Sequence, residues 1–454
     1  MKNWFCNYER ITDHGCSKER QVALECMGAA LSAANTYEGT YKVVSCDEKN
    51  IYVDDKTIPF ESIGRIFVVG AGKGSFPIVK ALQEILRNRI YGGAVALKDE
   101  SEILGDSRIE IIHSSHPVPD EKSLLAGQKI AEIASQVTEN DLVFVCVTGG
   151  CSSLMVLPPE PLSIQDISAL GKELMKCGAA ISDINTVRKH TCRLKGGGLL
   201  NMLRKARVIT LTQDTRPENL PWPDPVLPDP TTFQDALDVL KKYDMYKSVP
   251  PAVVEYIEDG LNHPERESLK TEEGISHQLY DVGNQRSACE AAKKKAEELG
   301  YHGYILSTKI EGEAREVGSA FAGIAKEVSL YNRPFVRPCV IISAGETTVT
   351  VDCDNPGKGG PNQEFVLGFA EKISNYDNVV CLSIDSEGTD GPTSISGGIV
   401  DSSTSKKAEE LNVDIFKELR VHNSSYVLEK TGDYVFTGPT GTNVVNLRAL
   451  VIGE

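Results

Sequence analysis

The residues best suited to chemistry in this chain sit in glycine-rich turns that follow apolar runs. The stretch "VVGAGKGSFP" (68–77) carries one lysine, Lys73, between Gly72 and Gly74, and Ser75 opens the next helical segment. Backbone N–H groups at a helix N-terminus face an anion, and an ammonium on a long stem reaches a transferring phosphate. Two named phosphate motifs fit incompletely. A Walker A loop, G-x-x-x-x-G-K-[ST], fails because Gly74 follows Lys73 and the first glycine of that spacing is missing. The dinucleotide fingerprint G-x-G-x-x-G is met at Gly70 and Gly72 but has Ser75 in third place; Asp99, after the next strand, would then face a ribose. The plainest alternative is a tight turn whose glycines only let helix and strand pack closely.

Other turns give this one company. "HSSHPVPD" (113–120) places His113 and His116 after a strand, and "VTGGCSSL" (147–154) supplies Gly149, Gly150 and Ser152 in a second N–H-rich turn. "VRKHTCRLKGGGLL" (187–200) gathers Arg188, Lys189, His190, Arg193 and Lys195 before three glycines. A charge run is usually a solvated helix face, but in an acidic chain the glycines after Lys195 favour an anion site. Further on come "SAGETTVTV" (343–351), "GKGGPNQEF" (357–365), "DSEGTDGPTSISGG" (385–398) and "TGPTGTNVVNL" (437–447). Glycine and threonine suit backbone and hydroxyl contacts to phosphates. Asp385 and Asp390 near a glycine turn suit Mg²⁺, although "TDGPT" is also good β-turn chemistry. Together these turns point to phosphoryl transfer.

Their positions follow from the elements between them. "RIFVVG", "GGAVAL", "IEIIHS" and "DLVFVCV" alternate with helical stretches such as 75–87 and 121–135, the pattern of parallel β-α-β units. Ligands of such sheets sit beyond the carboxyl ends of the strands, where these turns fall. A hairpin is expected across Asp47–Lys49. A second α/β region begins near 276 with "SHQLYDV" and continues through "YHGYIL", "FVRPCVIIS", "TTVTVD", "NVVCLSI" and "LRALVIG". Between the two, "TRPENLPWPDPVLPDPT" (215–231) is too rich in proline for helix or central strand, and reads as a linker or as a lid at the site's edge.

Bulk composition narrows the partners. The chain has 454 residues, 41% of them hydrophobic, and a net charge of −16. That charge argues against nucleic-acid or anionic-membrane partners. No apolar run reaches the length of a membrane span, and the first twenty residues lack a signal-peptide h-region. The 12 cysteines form no C-x-x-C pair, which predicts reduced thiols, a cytoplasmic location and no zinc site.

Taken as an ordered set, "GAGKGS", "HPVPDE", "TGGCSSL", "RKHTCRLKGGGLL", "DPTT", "GETTVTV", "GGPNQE", "GTDGPT" and "GPTGTNV" resemble the glycerate 2-kinase family, from about residue 20 to the end. The resemblance implies an α/β, two-lobed protein. Its parts would be a Rossmann-like N-terminal domain (1–258) and a smaller α/β MOFRL domain (259–454), with the site in the cleft between them. It implies transfer of the γ-phosphoryl group of ATP, with Mg²⁺, to the 2-hydroxyl of D-glycerate or a related small sugar acid. Lys73, Arg188, Lys195 and Asp390 would then be catalytic. Gly72, Gly74, Ser75, Gly149, Gly150, Ser152, Thr440, Gly441, Thr442 and Asn443 would hold the nucleotide. His116, His190, Asn362 and Glu364 would bind the acid, and Asp390 with Glu387 the metal. The partners are thus ATP and a hydroxy acid, with no nucleic acid and no membrane; a homodimer is compatible.

The chain departs from the family pattern at named places. Pro361 stands where the family has arginine, Glu387 where it has the first aspartate of D-G-x-D-G, and Cys151 where it has glycine. The segment from 213 to 231 also differs. Two other classes stay open on these residues: an NAD(P)-dependent hydroxypyruvate reductase, a label some family members carry, and a catalytically altered ligand-binding protein.

Overall fold

The computed structural model describes residues 4–98, 100, 102–105, 108–213 and 225–454. Asp99 and residues 215–224 of the proline-rich stretch lie outside the described residues. By compactness the chain divides into two units, Thr36–Val282 and Met1–Asn35 with Gly283–Glu454.

In Thr36–Val282, six strands form one parallel sheet in the spatial order Ile109–His113, Ile90–Leu97, Ile66–Ala71, Leu142–Val147, Arg207–Thr212, His277–Asp281. Numbered along the chain this is 3-2-1-4-5-6, the order of dinucleotide-binding sheets. The two central strands, Ile66–Ala71 and Leu142–Val147, are buried at every residue. Their unbroken apolar runs match strands covered on both faces. One face carries helices Glu121–Gln136, Ile164–Lys176, Phe233–Lys242 and Pro251–Gly260. The other carries helix Ser75–Leu86 and the antiparallel strands Val44–Cys46, Asn50–Val53 and Lys56–Pro59, which contain the expected hairpin. Capping boxes at Asp120/Ser123, Ser163/Asp166 and Thr232/Asp235 fix three helix starts.

The other unit also has a six-stranded sheet, in the order His302–Ser307, Cys339–Gly345, Asn446–Ile452, Val379–Asp385, Gly397–Asp401, Tyr434–Val435. Only the first pair is parallel. Helices Ser17–Ala34 and Gln285–Glu298 cover one face, and Ala314–Tyr331 with Pro361–Ala370 the other. Among the described residues no helix is long and apolar enough to cross a membrane.

Two elements differ from the sequence reading. "SHQLYDV" was expected to open the second α/β region; His277–Asp281 instead pairs with Arg207–Thr212 and forms the edge of the first sheet. Strand propensity is local, whereas the choice of partner strand is set by packing at long range. "TTVTVD" pairs only at Thr347–Thr348, against Gly312–Glu313. Its alternation suits a strand, but no neighbouring strand continues alongside it among the described residues.

Candidate functional site

The 3-2-1-4-5-6 order reverses between Ile66–Ala71 and Leu142–Val147, so a crevice opens beyond the carboxyl ends of those two strands. The turn that carries Lys73 and the turn that carries Gly149 and Gly150 lie there. The Lys73 N–H donates to the Gly149 carbonyl at 2.9 Å, and the Gly74 N–H donates to Thr148 Oγ1 at 2.9 Å. Gly72 makes the approach possible. Its φ is +150°, and a Cβ there would lie 2.1 Å from Thr148 Oγ1. Ser75, buried, sets its hydroxyl 3.2 Å from both the Cys146 carbonyl and Thr148 Oγ1. That ties the helix start to the neighbouring strand, which is a packing reason for serine where a dinucleotide fingerprint has glycine.

The crevice also holds side chains. A Cβ built on Gly150, which has φ +90°, would lie 3.2 Å from Lys73 Cγ and 3.2 Å from His116 Cδ2. Lys73, His116 and Gly150 therefore share one spot, and a bare Gly150 leaves room between the two side chains. Ser152 turns a buried hydroxyl with no hydrogen-bond partner among the described residues. Helix Ser75–Leu86 begins without a side-chain cap and without an acidic residue in its first turn. An orphan hydroxyl and an ammonium beside a helix start without acidic residues form a cradle for an anion. Thr148 and Gln213, whose Oε1 lies 2.9 Å from the Cβ position of Gly74, complete its wall and were not singled out from sequence.

Arg188 and Lys195 part company. Arg188, in helix Ile181–His190, forms no hydrogen bond or ion pair among the described residues, and burial lowers its pKa. Its neighbour Lys189 is paired with Asp229 at 2.7 Å, both buried, so that lysine has a structural anchor. His190 donates from Nδ1 to the Thr186 carbonyl at 2.8 Å and lies 3.3 Å from Glu267 through Nε2. Lys195 and His190 line a cavity of about 580 Å³ to which neither Arg188 nor Lys73 contributes.

In the other unit, Asp390 is buried and accepts four N–H groups: the backbone and side-chain amides of Asn362 at 3.1 and 3.0 Å, and those of Gln363, both at 3.0 Å. It thereby caps helix Pro361–Ala370 from a distant loop. Proline is at home at that helix's first position, where an N–H would be idle, so the helix start tolerates the family's arginine being replaced. Burial raises the pKa of Asp390 despite these donors. Asp390→Ala is expected to destabilise the fold by about 3 kcal/mol or more, measured by denaturant unfolding, because four buried donors lose their acceptor.

Glu364 is buried against His422, whose Nδ1 lies 2.9 Å from Oε1. The loops 385–391 and 437–446 are laced together. The Thr440 N–H donates to the Glu387 carbonyl at 3.2 Å, Asn443 Nδ2 donates to the Glu387 carboxylate, and Thr442 N–H donates to Thr440 Oγ1 at 3.2 Å. Gly441 has φ +73°, a conformation that suits glycine. Asp385 accepts the Glu387 N–H at 2.8 Å. Burial, reinforced by the charges of Glu387, Asp390 and Glu346, pushes its pKa up to about 7. Arg448 escaped the sequence reading. It is buried in the strand Asn446–Ile452, donates to the Gly345 carbonyl and Thr347 Oγ1, and stands 4.8 Å over the Phe365 ring. A charge inside the apolar run "NLRALVIG" was the available signal.

Residues 22–258 match the family model DUF4147, a domain of unknown function, and residues 339–446 match the MOFRL family. A glycerate 2-kinase of Pyrococcus horikoshii is 38% identical over 95% of this chain and 97% of its own. The crystal structure of a glycerate kinase from Thermotoga maritima superposes with a TM-score of 0.84 at 33% identity, covering 95% of this chain and 99% of the other. A protein of Agrobacterium vitis, 33% identical over 90% of this chain and 92% of its own, carries the name hydroxypyruvate reductase. A two-unit chain with these turns, matched end to end by such relatives, belongs to the glycerate 2-kinase family.

Proposed function

We propose that this chain is an ATP-dependent kinase that phosphorylates the 2-hydroxyl of D-glycerate or a related small sugar acid. The observation that carries the reading is the meeting of the Lys73 and Gly149–Gly150 turns at the reversal point of the parallel sheet. The reading extends to this chain what the Pyrococcus and Thermotoga relatives are named for.

Phosphoryl transfer rests on alignment and charge stabilisation rather than on covalent chemistry with the protein. Lys73, at the positive end of helix Ser75–Leu86, holds the transferring phosphoryl group, and the Ser152 hydroxyl donates to one of its oxygens. His116, beside Lys73, orients the acceptor acid. The uncompensated Arg188 guanidinium receives its carboxylate. The bond from the γ-phosphorus to the β–γ bridging oxygen breaks as the bond to the acid's 2-oxygen forms. ADP takes the electron pair, and the hydroxyl proton is released.

Among the described residues no group of three or more His, Cys, Asp or Glu is arranged to hold a metal alone. Mg²⁺ commonly takes one or two carboxylates and completes its shell with water and substrate phosphates. Asp385 and Glu387 fit that demand: burial and the neighbouring carboxylates disfavour ionisation of Asp385, and a dication would relieve it. Asp390, surrounded by N–H donors, enters as the group that positions Asn362 and Gln363. Mg²⁺, when bound, neutralises charge on the triphosphate. Glu387→Gln is expected to raise the Mg²⁺ concentration for half-maximal rate about tenfold or more, with helix content unchanged.

The test is ADP release from pure protein with ATP, Mg²⁺ and a panel of hydroxy acids, with the phosphorylated carbon assigned by ³¹P NMR. Phosphorylation of glycerate at carbon 2 is the expected result. NADH oxidation by hydroxypyruvate would replace the kinase with a reductase, and silence on every acid would leave a binding protein. Every cysteine is a free thiol, which supports a reducing compartment such as the cytoplasm.

A further inference from the structure

Helix Ser75–Leu86 carries two stripes of side chains. Ile78, Val79, Leu82 and Leu86 are buried against the sheet. Phe76, Lys80 and Glu84, four residues apart, form a second stripe that Arg87 continues at the helix end. That stripe lines a pocket of about 590 Å³, to which Ile103, Leu104 and Arg108 also contribute. The pocket has two unlike ends, because the helix rises about 16 Å from Phe76 to Arg87. Arg108 donates from Nη1 to the Asn88 carbonyl at 3.4 Å and the Ile90 carbonyl at 3.1 Å, which places it at the Arg87 end.

Lys80, Arg87 and Arg108 face a single carboxylate among the lining residues, that of Glu84. Cations thus outnumber carboxylates at this spot in a chain whose net charge is −16. Glu84 accepts the Tyr37 and Tyr41 hydroxyls, both on Oε2, so Oε1 stays open to another donor. Lys80 lies 5.8 Å from the Tyr37 ring centre. Among the described residues neither arginine forms an ion pair with a carboxylate, and Arg108 spends its hydrogen bonds on the two carbonyls. Arg87 is also strained. Its backbone has φ +52° and ψ −126°, a conformation that glycine adopts freely and a long side chain resists. Strain of this kind persists where the surroundings or a ligand offset it.

We propose that this pocket binds a nucleoside monophosphate. Its phosphate pairs with Arg87 and Arg108, a ribose hydroxyl donates to Glu84 Oε1, and its base lies on the apolar lining of Phe76, Ile103 and Leu104. The surplus of cations matches one phosphomonoester, which carries roughly −1.5 to −2 at pH 7, and the volume is that of a small-ligand site. Lys73, His116, Gly149, Gly150 and Ser152 do not line the pocket, so it is separate from the crevice at the strand ends. The two share helix Ser75–Leu86, whose N-terminus follows the Lys73 turn. A ligand that fixes the flank of that helix bears on the turn, the arrangement of a regulatory site. The inference goes beyond the kinase reading and stands whether or not glycerate is the acceptor.

AMP is the probe, titrated by calorimetry into the full chain, with inorganic phosphate as the comparison. AMP is expected to bind the wild-type chain, and phosphate about tenfold more weakly or worse, because it lacks the base and ribose. Lys73→Ala is expected to keep the AMP affinity. Arg87→Gly combined with Arg108→Gln is expected to lower it about tenfold or more, since both charge-assisted contacts are lost. The glycine also relieves the strained position, so this double variant is expected to melt no lower than the wild type. No AMP binding to the wild-type chain, unchanged binding to the double variant, loss of binding in Lys73→Ala, or phosphate binding as tight as AMP overturns the proposal. If the double variant does not fold, the wild-type chain decides: AMP is expected to slow phenylglyoxal modification of Arg87 and Arg108 several-fold, mapped by mass spectrometry. An unchanged rate contradicts the site.

Discussion

Lys73→Ala is expected to lower kcat for ATP-dependent phosphorylation of the acid about 10²–10³-fold, the usual loss when one preorganised donor to a transition-state charge is removed. The fall should appear in kcat more than in KM, because the ammonium follows charge that moves during transfer. The fold should survive. The Lys73 side chain is half-buried, and the turn itself is held by the backbone bond from Lys73 N–H to the Gly149 carbonyl and by Gly74 N–H to Thr148. Lys73→Arg keeps the charge but not the compact shape, and is expected to recover only part of the rate. Parallel steady-state kinetics and thermal melts on the three proteins check both parts. A rate within threefold of wild type for Lys73→Ala would remove the turn from the reaction.

The largest stability effect is expected at Arg20, far in sequence from the residues it holds. Its side chain has no exposed surface. Nε lies 2.6 Å from Asp401, Nη1 donates to the Ile11 carbonyl at 3.2 Å, and Nη2 stands 2.9 Å from Asp433 as an ion pair outside hydrogen-bond geometry. Both aspartates are fully buried, and each accepts further bonds, from Cys16 and Ser403 N–H groups on Asp401 and from the Thr404 hydroxyl on Asp433. Burial would raise both carboxyls, but Arg20 leads the groups that carry them below the usual range. Arg20→Ala leaves buried Asp401 without its cation and Asp433 with His14 alone. It is expected to cost about 3–5 kcal/mol, or about 6–20 °C in Tm.

The same network predicts a pH trend. A hydrogen bond to Asp433 raises the pKa of His14, against the pull of its partial burial. A raised histidine stabilises the fold fully below its unfolded pKa, and that contribution disappears as pH rises through the folded value. Denaturant midpoints should therefore fall on going from mildly acidic to alkaline pH, and His14→Gln should flatten the slope.

The strands and the turns at their ends were legible because each is written locally. An apolar run of six, then glycine, then helical periodicity, suffices to place Lys73 beyond a strand end. What joins distant segments was not written that way. Nothing local in "SHQLYDV" says that it pairs with Arg207–Thr212, or that the helix Ser17–Ala34 packs with residues beyond 283. Asp390 reads as a turn residue or a metal ligand until Asn362 and Gln363, nearly thirty positions earlier, are seen to point their N–H groups at it. Arg188 and Lys195 look like one basic cluster in sequence, yet only Lys195 reaches the cavity. Six residues of helix end and loop are enough to turn two side chains to different environments.

In a kinase of this kind the Lys73 ammonium meets the triphosphate of ATP. An ATP analogue carrying a reactive acyl group on its γ-phosphate acylates the lysine next to it, and mass spectrometry identifies which. The expected result is acylation of Lys73, suppressed by excess ATP. ATP-protected labelling confined to other lysines, with Lys73 untouched, would contradict the account.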